Sequence, residues 1–198
     1  MPAWFFFVPL FAPLFMALSA VPVTIGCIKW LGAARAVRLL VALSAFAYII
    51  ETIALRTGFP YGTFTYTGHL GYKLFETTPW TVPFGWVPLM IASWILTWRH
   101  TSSITHRFIL TIGTLVAVDL ILDPVAVSLG FWKYAHPGFW GGVPYTNFLG
   151  WILSGFVGCL ILHVFTKQQQ PSHANARLWL LTGFLPAIGT VVLWLVTR

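Results

Sequence analysis

Asp119 and Asp123 stand four residues apart within residues 111–130, T-I-G-T-L-V-A-V-D-L-I-L-D-P-V-A-V-S-L-G, a stretch otherwise apolar enough to cross a bilayer. The whole chain carries four acidic residues, so this segment holds half of them. On a helix, positions i and i+4 share a face, about 6 Å apart along the axis. A carboxylate left charged and unpaired inside a membrane costs at least ~2.5 kcal/mol, so such residues turn toward a bundle interior and are functional candidates. A carboxyl withdrawn from water favours its uncharged form, and a neighbouring acid strengthens that preference. The pair is therefore a candidate general acid, able to hold a proton at neutral pH and to donate it. The structural alternative is a pair of carboxyls hydrogen-bonded to a neighbouring helix or to Arg56.

Glu51 lies near the end of another apolar run and can close the same site as acid, base or water-holder. The alternative for it is an ion pair with Arg56, worth little at an interface. Glu76 reads as a solvated or headgroup-level charge. Aromatic residues crowd the two segments that follow the acid-bearing runs: Tyr61, Phe64, Tyr66, Trp80 and Trp86, then Trp132, Tyr134, Trp140 and Trp151. An interfacial aromatic belt accounts for Trp4, Trp98 and Trp194. It accounts less well for rings set among glycines. Aromatic faces stabilise cations by ~0.5–2 kcal/mol each. An acid beside aromatic faces in a dry site is what protonation of an alkene requires, because that step creates a carbocation. His69 and His136 lack the spacing of a metal site, so no metal is expected. Nucleophile, phosphate-loop and dinucleotide motifs are absent from the sequence.

These residues must be positioned by membrane helices. The chain has 198 residues, of which 58% are hydrophobic and 8% charged, and mean hydropathy is +0.83. Soluble domains carry about 25% charged residues, so the composition predicts an all-α, polytopic transmembrane bundle forming one integral membrane domain over residues 1–198. The net charge of +7 is spread singly between apolar runs, which argues against nucleic acid as a partner. Cys27 and Cys159 read as inert buried thiols. The N-terminal run has no Lys or Arg before it and is too long for a signal-peptide core, so it reads as the first span.

A span needs about 20 apolar residues. Six stretches qualify: 5–28, 36–55, 80–98, 108–128, 148–166 and 177–196. The first (Lys29, Arg35, Arg38), third (Arg99, Arg107) and fifth (Lys167, Arg177) connections hold seven Lys and Arg, against four elsewhere (Arg56, Lys73, Lys133, Arg198). The positive-inside rule then predicts extracytoplasmic termini for a multi-pass cell-membrane protein. It places the second and fourth connections, rich in Gly, Pro and aromatics, together on one side. Pro124 follows Asp123 and frees the carbonyl of Leu120, so the fourth span is expected to bend or end there. A faint internal echo links Gly58-Phe59-Pro60-Tyr61-x-x-Phe64 with Gly142-Val143-Pro144-Tyr145-x-x-Phe148. Chance explains it better than duplication.

The motifs Glu51…Thr57-Gly58-x-Pro60-Tyr61-Gly62-x-Phe64-x-Tyr66, Pro83-x-x-Trp86, Asp119…Asp123-Pro124, Gly130-x-Trp132 and Gly142-Val143-Pro144-x-x-Asn147-Phe148-x-Gly150-Trp151 together resemble the CruF-type carotenoid biosynthesis proteins, membrane-embedded carotenoid hydratases. The resemblance covers about residues 45–155. Tyr61 and Tyr134 stand where that family more often has Phe and Trp. The resemblance implies a cofactor-independent hydro-lyase. It would add water to the terminal isopropylidene double bond of an acyclic carotenoid end, of the lycopene, γ-carotene or C50 type, to give a tertiary alcohol. Asp119, Asp123 and Glu51 are the candidate catalytic residues. Tyr61, Phe64, Tyr66, Trp86, Trp132, Tyr134, Asn147 and Trp151 are the candidates for the substrate pocket. One Asp would protonate the alkene, and Glu51, the other Asp or Asn147 would hold the attacking water. Two other readings compete: a carotenoid end-group cyclase, which protonates the same group but excludes water, and a small proton-coupled transporter. A transporter would more often show paired broken helices at the bilayer midplane, whereas the polar residues here gather toward one leaflet.

Overall fold

A computed structural model describes residues 8–98, 100–166, 169–171 and 174–197. Trp4, Arg99, Lys167, His173 and Arg198, some of them counted in the charge asymmetry, lie outside the described residues. Among the described residues, seven α-helices make up most of the fold: α1 (Val8–Leu31), α2 (Ala33–Thr57), α3 (Val82–Thr97), α4 (Ile104–Ser128), α5 (Tyr145–Thr166), α6 (Ala174–Leu181) and α7 (Leu185–Thr197). A 3₁₀ turn, Thr182–Phe184, joins α6 to α7, and the stretch Arg177–Thr197 runs as one membrane-length apolar unit. Five helical stretches among the described residues are long and apolar enough to cross a membrane. The protein is an all-α, multi-pass bundle.

The expected third span is different in kind. α3 has 16 residues, roughly 24 Å at the helical rise, short of the ~30 Å hydrocarbon thickness. Every residue from Trp86 to Ile95 is buried. α3 packs against every other helix, so it is the central rod of the bundle. A helix surrounded on all sides must be apolar on all sides, and that accounts for a sequence that looked like a lipid-facing span. Trp94, Met90, Ile91, Leu39, Leu43, Leu115 and Leu162 form the packed core around it.

The first connection is also shorter than its charges suggested. Only Gly32, at φ +76°, separates α1 from α2, so Arg35 and Arg38 belong to the first turns of α2. Arg35 Nη1 donates to Gln169 Oε1 at 2.7 Å and Trp30 Nε1 donates to Gln169 O at 3.0 Å. The α1–α2 corner therefore docks on the α5–α6 connection, at the same end of the bundle.

At the other end, the second and fourth connections fold onto each other. β1 (Phe64–Tyr66) pairs antiparallel with β4 (Trp132–Tyr134), with Phe64 opposite Tyr134 and Tyr66 opposite Trp132. Side chains alternate across a strand, so these four rings share one face while Thr65 and Lys133 point outward. Phe64 and Tyr134 are buried; Thr65 and Lys133 are exposed. The ring centroids lie 5.6 Å apart for Phe64–Tyr134 and 5.8 Å for Tyr66–Trp132, a spacing typical of aromatic pairs. A second small hairpin, β2 (Lys73–Leu74) with β3 (Thr78–Pro79), completes the connection to α3. The expectation that the two connections share one side holds.

Pro124 neither ends nor breaks its helix, since α4 continues to Ser128. The Leu120 carbonyl that it frees accepts a hydrogen bond from Trp140 Nε1 at 2.7 Å. An indole from the fourth connection thus replaces the missing backbone donor, which lets the helix run on and keeps Asp123 in helical geometry. The two echoed segments have different structures. The first is a turn at a cis Phe59–Pro60 bond leading into β1, with Tyr61 buried; the second leads into α5, with Tyr145 exposed. Cys27 and Cys159 are free and buried.

Candidate active site

Four helices and the β1–β4 ribbon meet at one chamber. Asp119 and Asp123 come from the C-terminal half of α4, about 14 and 8 Å from its last residue at 1.5 Å per residue. Glu51 comes from the last two turns of α2, Trp86 from the first turns of α3, and Asn147 and Trp151 from the first turns of α5. The ribbon closes the chamber from above with Phe64, Tyr66, Trp132 and Tyr134, and Tyr61 fills the side beneath the cis-proline turn. All eleven residues proposed from the sequence line this one cavity of about 80 Å³. Leu122 also lines it. It is three residues beyond Asp119, on the same helix face, so helical spacing was the signal for it.

Asp119 and Asp123 are each 1% exposed and Asn147 is 3% exposed. Asn147 Nδ2 donates to Asp119 Oδ2 at 2.8 Å and to Asp123 Oδ2 at 2.6 Å, so one amide group ties the two carboxyls together. Asp123 accepts two further bonds, from Trp132 Nε1 to Oδ1 at 2.6 Å and from the Tyr134 hydroxyl to Oδ2 at 2.9 Å. Asp123 thus has three donors, while Asp119 has one. Chemically identical residues are held in unequal surroundings. Three donors aimed at one carboxyl suit its anion; a single donor leaves Asp119 Oδ1 able to carry a proton.

Glu51 Oε1 accepts from the Tyr66 hydroxyl at 2.6 Å. The ion pair with Arg56 is not formed: Arg56 is exposed, and the partner of Glu51 is Tyr66. Burial, with the nearby carboxyls adding to it, pushes the Tyr66 and Tyr134 hydroxyls well above the ordinary tyrosine range. Both therefore stay protonated and act as donors. Burial and then Glu51 push Tyr61 upward in the same way. Trp86 Nε1 is buried and has no hydrogen-bond partner among the described residues.

The remaining candidates lie elsewhere. Trp140 caps the Leu120 carbonyl, and Trp80 stacks on Tyr72 with ring centroids 6.3 Å apart. His69 packs edge-on against Phe131, burial lowers its pKa, and His136 is exposed. Glu76 is exposed. Among the described residues there is no group of three or more His, Cys, Asp or Glu placed to hold a metal ion.

A second, larger cavity of about 740 Å³ meets the chamber. Glu51, Tyr66, Trp86, Leu122, Trp132 and Trp151 line both. Its other walls come from α1, the start of α3, α7, and Leu70 and Phe131 of the two connections, and nearly all are apolar. Sequence reasoning did not find this cleft, because an apolar side chain lining a cleft looks like one facing lipid. The arrangement can present a proton to an apolar, unsaturated group pushed into the chamber. It can surround the resulting cation with rings, and it leaves room near Asp123 for water, whose share of liquid volume is about 30 Å³.

The chain matches the family of carotenoid biosynthesis proteins across residues 11–197. It is also 43% identical over 131 residues to the bisanhydrobacterioruberin hydratase of Haloarcula japonica. That alignment covers 64% of this chain and 44% of the relative, so it spans under half of the relative's length. No solved structure matches the chain.

Proposed function

The chain belongs to the carotenoid biosynthesis protein family, and from that premise we propose that it is a carotenoid hydratase acting as one membrane domain. It adds water to the terminal isopropylidene double bond of an acyclic carotenoid end and gives a tertiary alcohol. The Haloarcula relative is named for a carotenoid substrate, which supports a polyene of the same class here. The observation that carries the reading is the carboxyl pair bridged by Asn147 beneath an aromatic lid, at the inner end of an apolar cleft.

Asp119, with a single donor, holds the proton. It delivers that proton to the CH carbon of the double bond, and the positive charge falls on the carbon bearing two methyl groups. Tyr61, Phe64, Trp86, Trp132 and Trp151 surround this tertiary cation with π faces. A water beside Asp123 forms the new C–O bond and gives one proton to that carboxylate. A proton passing from Asp123 back to Asp119 resets the pair. One water is consumed, and the carbon skeleton is neither oxidised nor reduced overall, so no electron carrier is called for. Glu51, fixed by Tyr66 where the two cavities meet, holds the end group or the water in line.

Expression in a lycopene-producing host followed by mass spectrometry of the pigments tests this reading. A gain of one water per modified end is expected. A product of unchanged mass with a ring at its end would identify a cyclase, and unchanged lycopene with intact protein in the membrane would refute both.

A further inference from the structure

We infer that the cleft between α1 and α7 binds the length of the polyene and is the doorway through which it enters sideways from the bilayer. The identity of the ligand rests on the hydratase reading; the doorway rests on the geometry. The cleft joins the carboxyl chamber directly through the residues that line both cavities. Its mouth is formed by Leu14 and Leu18 on α1 and by Val192 and Val196 on α7, all of them on the outer surface. α1 and the Arg177–Thr197 stretch that ends in α7 are each long and apolar enough to cross a membrane, so this mouth opens toward hydrocarbon.

Three polar groups along the wall are already committed, and the Trp86 Nε1–H, at the end shared with the chamber, has no partner among the described residues. The Thr190 hydroxyl donates to Pro186 O in its own helix, the Tyr66 hydroxyl donates to Glu51, and Trp132 Nε1 donates to Asp123. Glu51 is the one ionisable side chain besides Tyr66 that lines the cleft, and it stands at the inner end. A wall like this gives a headgroup or sugar little to bind. It suits a hydrocarbon whose reactive tip reaches the chamber while its length lies between the helices. Entry from the aqueous side would have to pass the β1–β4 lid and carry the polyene through water, at a cost that grows with its apolar area. Entry from the side avoids that cost.

The test compares the full-length chain with Leu14→Trp and Val192→Trp, both produced in lycopene-making cells and purified in detergent. Both positions are about half exposed on the lipid side, at 53% and 50%, so a larger side chain there narrows the mouth without crowding the core. Val41→Trp is the control, on the outer face of α2 at 61% exposure and lining neither cavity. Polyene bound per protein is read by absorbance, and hydrated pigment by mass spectrometry. The wild type and the control should retain polyene, as lycopene or its hydrated product, and each mouth variant should lose at least tenfold of it. Equal retention in all four proteins would overturn the proposal, as would wild-type protein that carries phospholipid and no polyene. Lycopene held in a mouth-dependent way without any hydrated product would support the cleft and sink the hydratase reading. Leu18→Trp, further along the same mouth, replaces either variant that fails to accumulate.

Discussion

Asp119→Asn should abolish catalysis while leaving the fold almost untouched, and its contrast with Asp123→Asn tests the division of labour between the two acids. Asp119 accepts one hydrogen bond, 2.8 Å from Asn147 Nδ2. An asparagine at this position keeps a carbonyl oxygen there, so that bond survives. The change adds almost no volume, and the new amide N–H group takes the place of the O–H that the neutral acid already carries at Oδ1. Its effect on stability should therefore stay within about 1 kcal/mol, the scale of one neutral hydrogen bond. What it removes is the transferable proton. Loss of a general acid costs about 100- to 10,000-fold in rate. At 1.36 kcal/mol per decade this is about 2.7–5.4 kcal/mol of barrier. Asp123 differs, because both of its oxygens accept and three donors converge on them. An asparagine there must turn its amide toward Trp132 or toward Tyr134 and Asn147, which leaves at least one buried donor facing another. Asp123→Asn should lose activity and also about 1–3 kcal/mol of stability. The assay pairs initial rates of hydrated-carotenoid formation with thermal unfolding of the purified variants in detergent. Asp119→Asn retaining activity within threefold of wild type would refute the assignment of the acid. An equal stability loss in the two variants would refute the argument from donor number.

Two further perturbations follow from single contacts. Tyr66→Phe removes the donor 2.6 Å from Glu51 and should slow hydration about tenfold, the equivalent of one hydrogen bond of about 1.4 kcal/mol, with bound polyene unchanged. A wild-type rate would show that Glu51 needs no anchoring. In Gly150→Ala the new methyl would overlap the Tyr61 ring, at a cost of about 1–3 kcal/mol from overpacking, and it would push Tyr61 into the chamber. The unfolding midpoint should fall, and an unchanged midpoint would show that the turn before β1 yields freely.

The acids were legible because membrane spans so rarely carry them: two on one helix face, with a third near the end of another span, marked a candidate site before any fold was known, and the three line one cavity. The rings around them were legible because they sit among glycines and prolines. The lid was legible in principle, since F-T-Y and W-K-Y both alternate with period two, yet three-residue strands lie below the length at which alternation stands out. α3 shows the opposite failure. Its composition fitted a membrane span, but burial among six neighbouring helices produces the same composition, and only its length distinguishes the two. α1 and α7 were read as plain spans. Nothing in Leu14 or Val192 marks a side chain that borders a cleft, because lipid and a hydrocarbon ligand select the same residue types.

The lid follows from what transmembrane helices lack. Their backbone donors are spent within each helix, so an acid inside the bundle can be tuned only by side chains. Among the described residues the helices supply one such donor to the aspartates, Asn147, and it serves both alike. Every donor that distinguishes Asp123 from Asp119 comes from β4, and the donor that fixes Glu51 comes from β1. The two strands pair only with each other, so the polarity of each carboxyl depends on the register between connections 64 residues or more apart in the chain. A slip of one residue would turn Tyr134 and Trp132 outward and leave Lys133 above the pair. The hydrogen bonding of the buried acids is therefore set by a short ribbon between connections, while the helices provide the dry space around them.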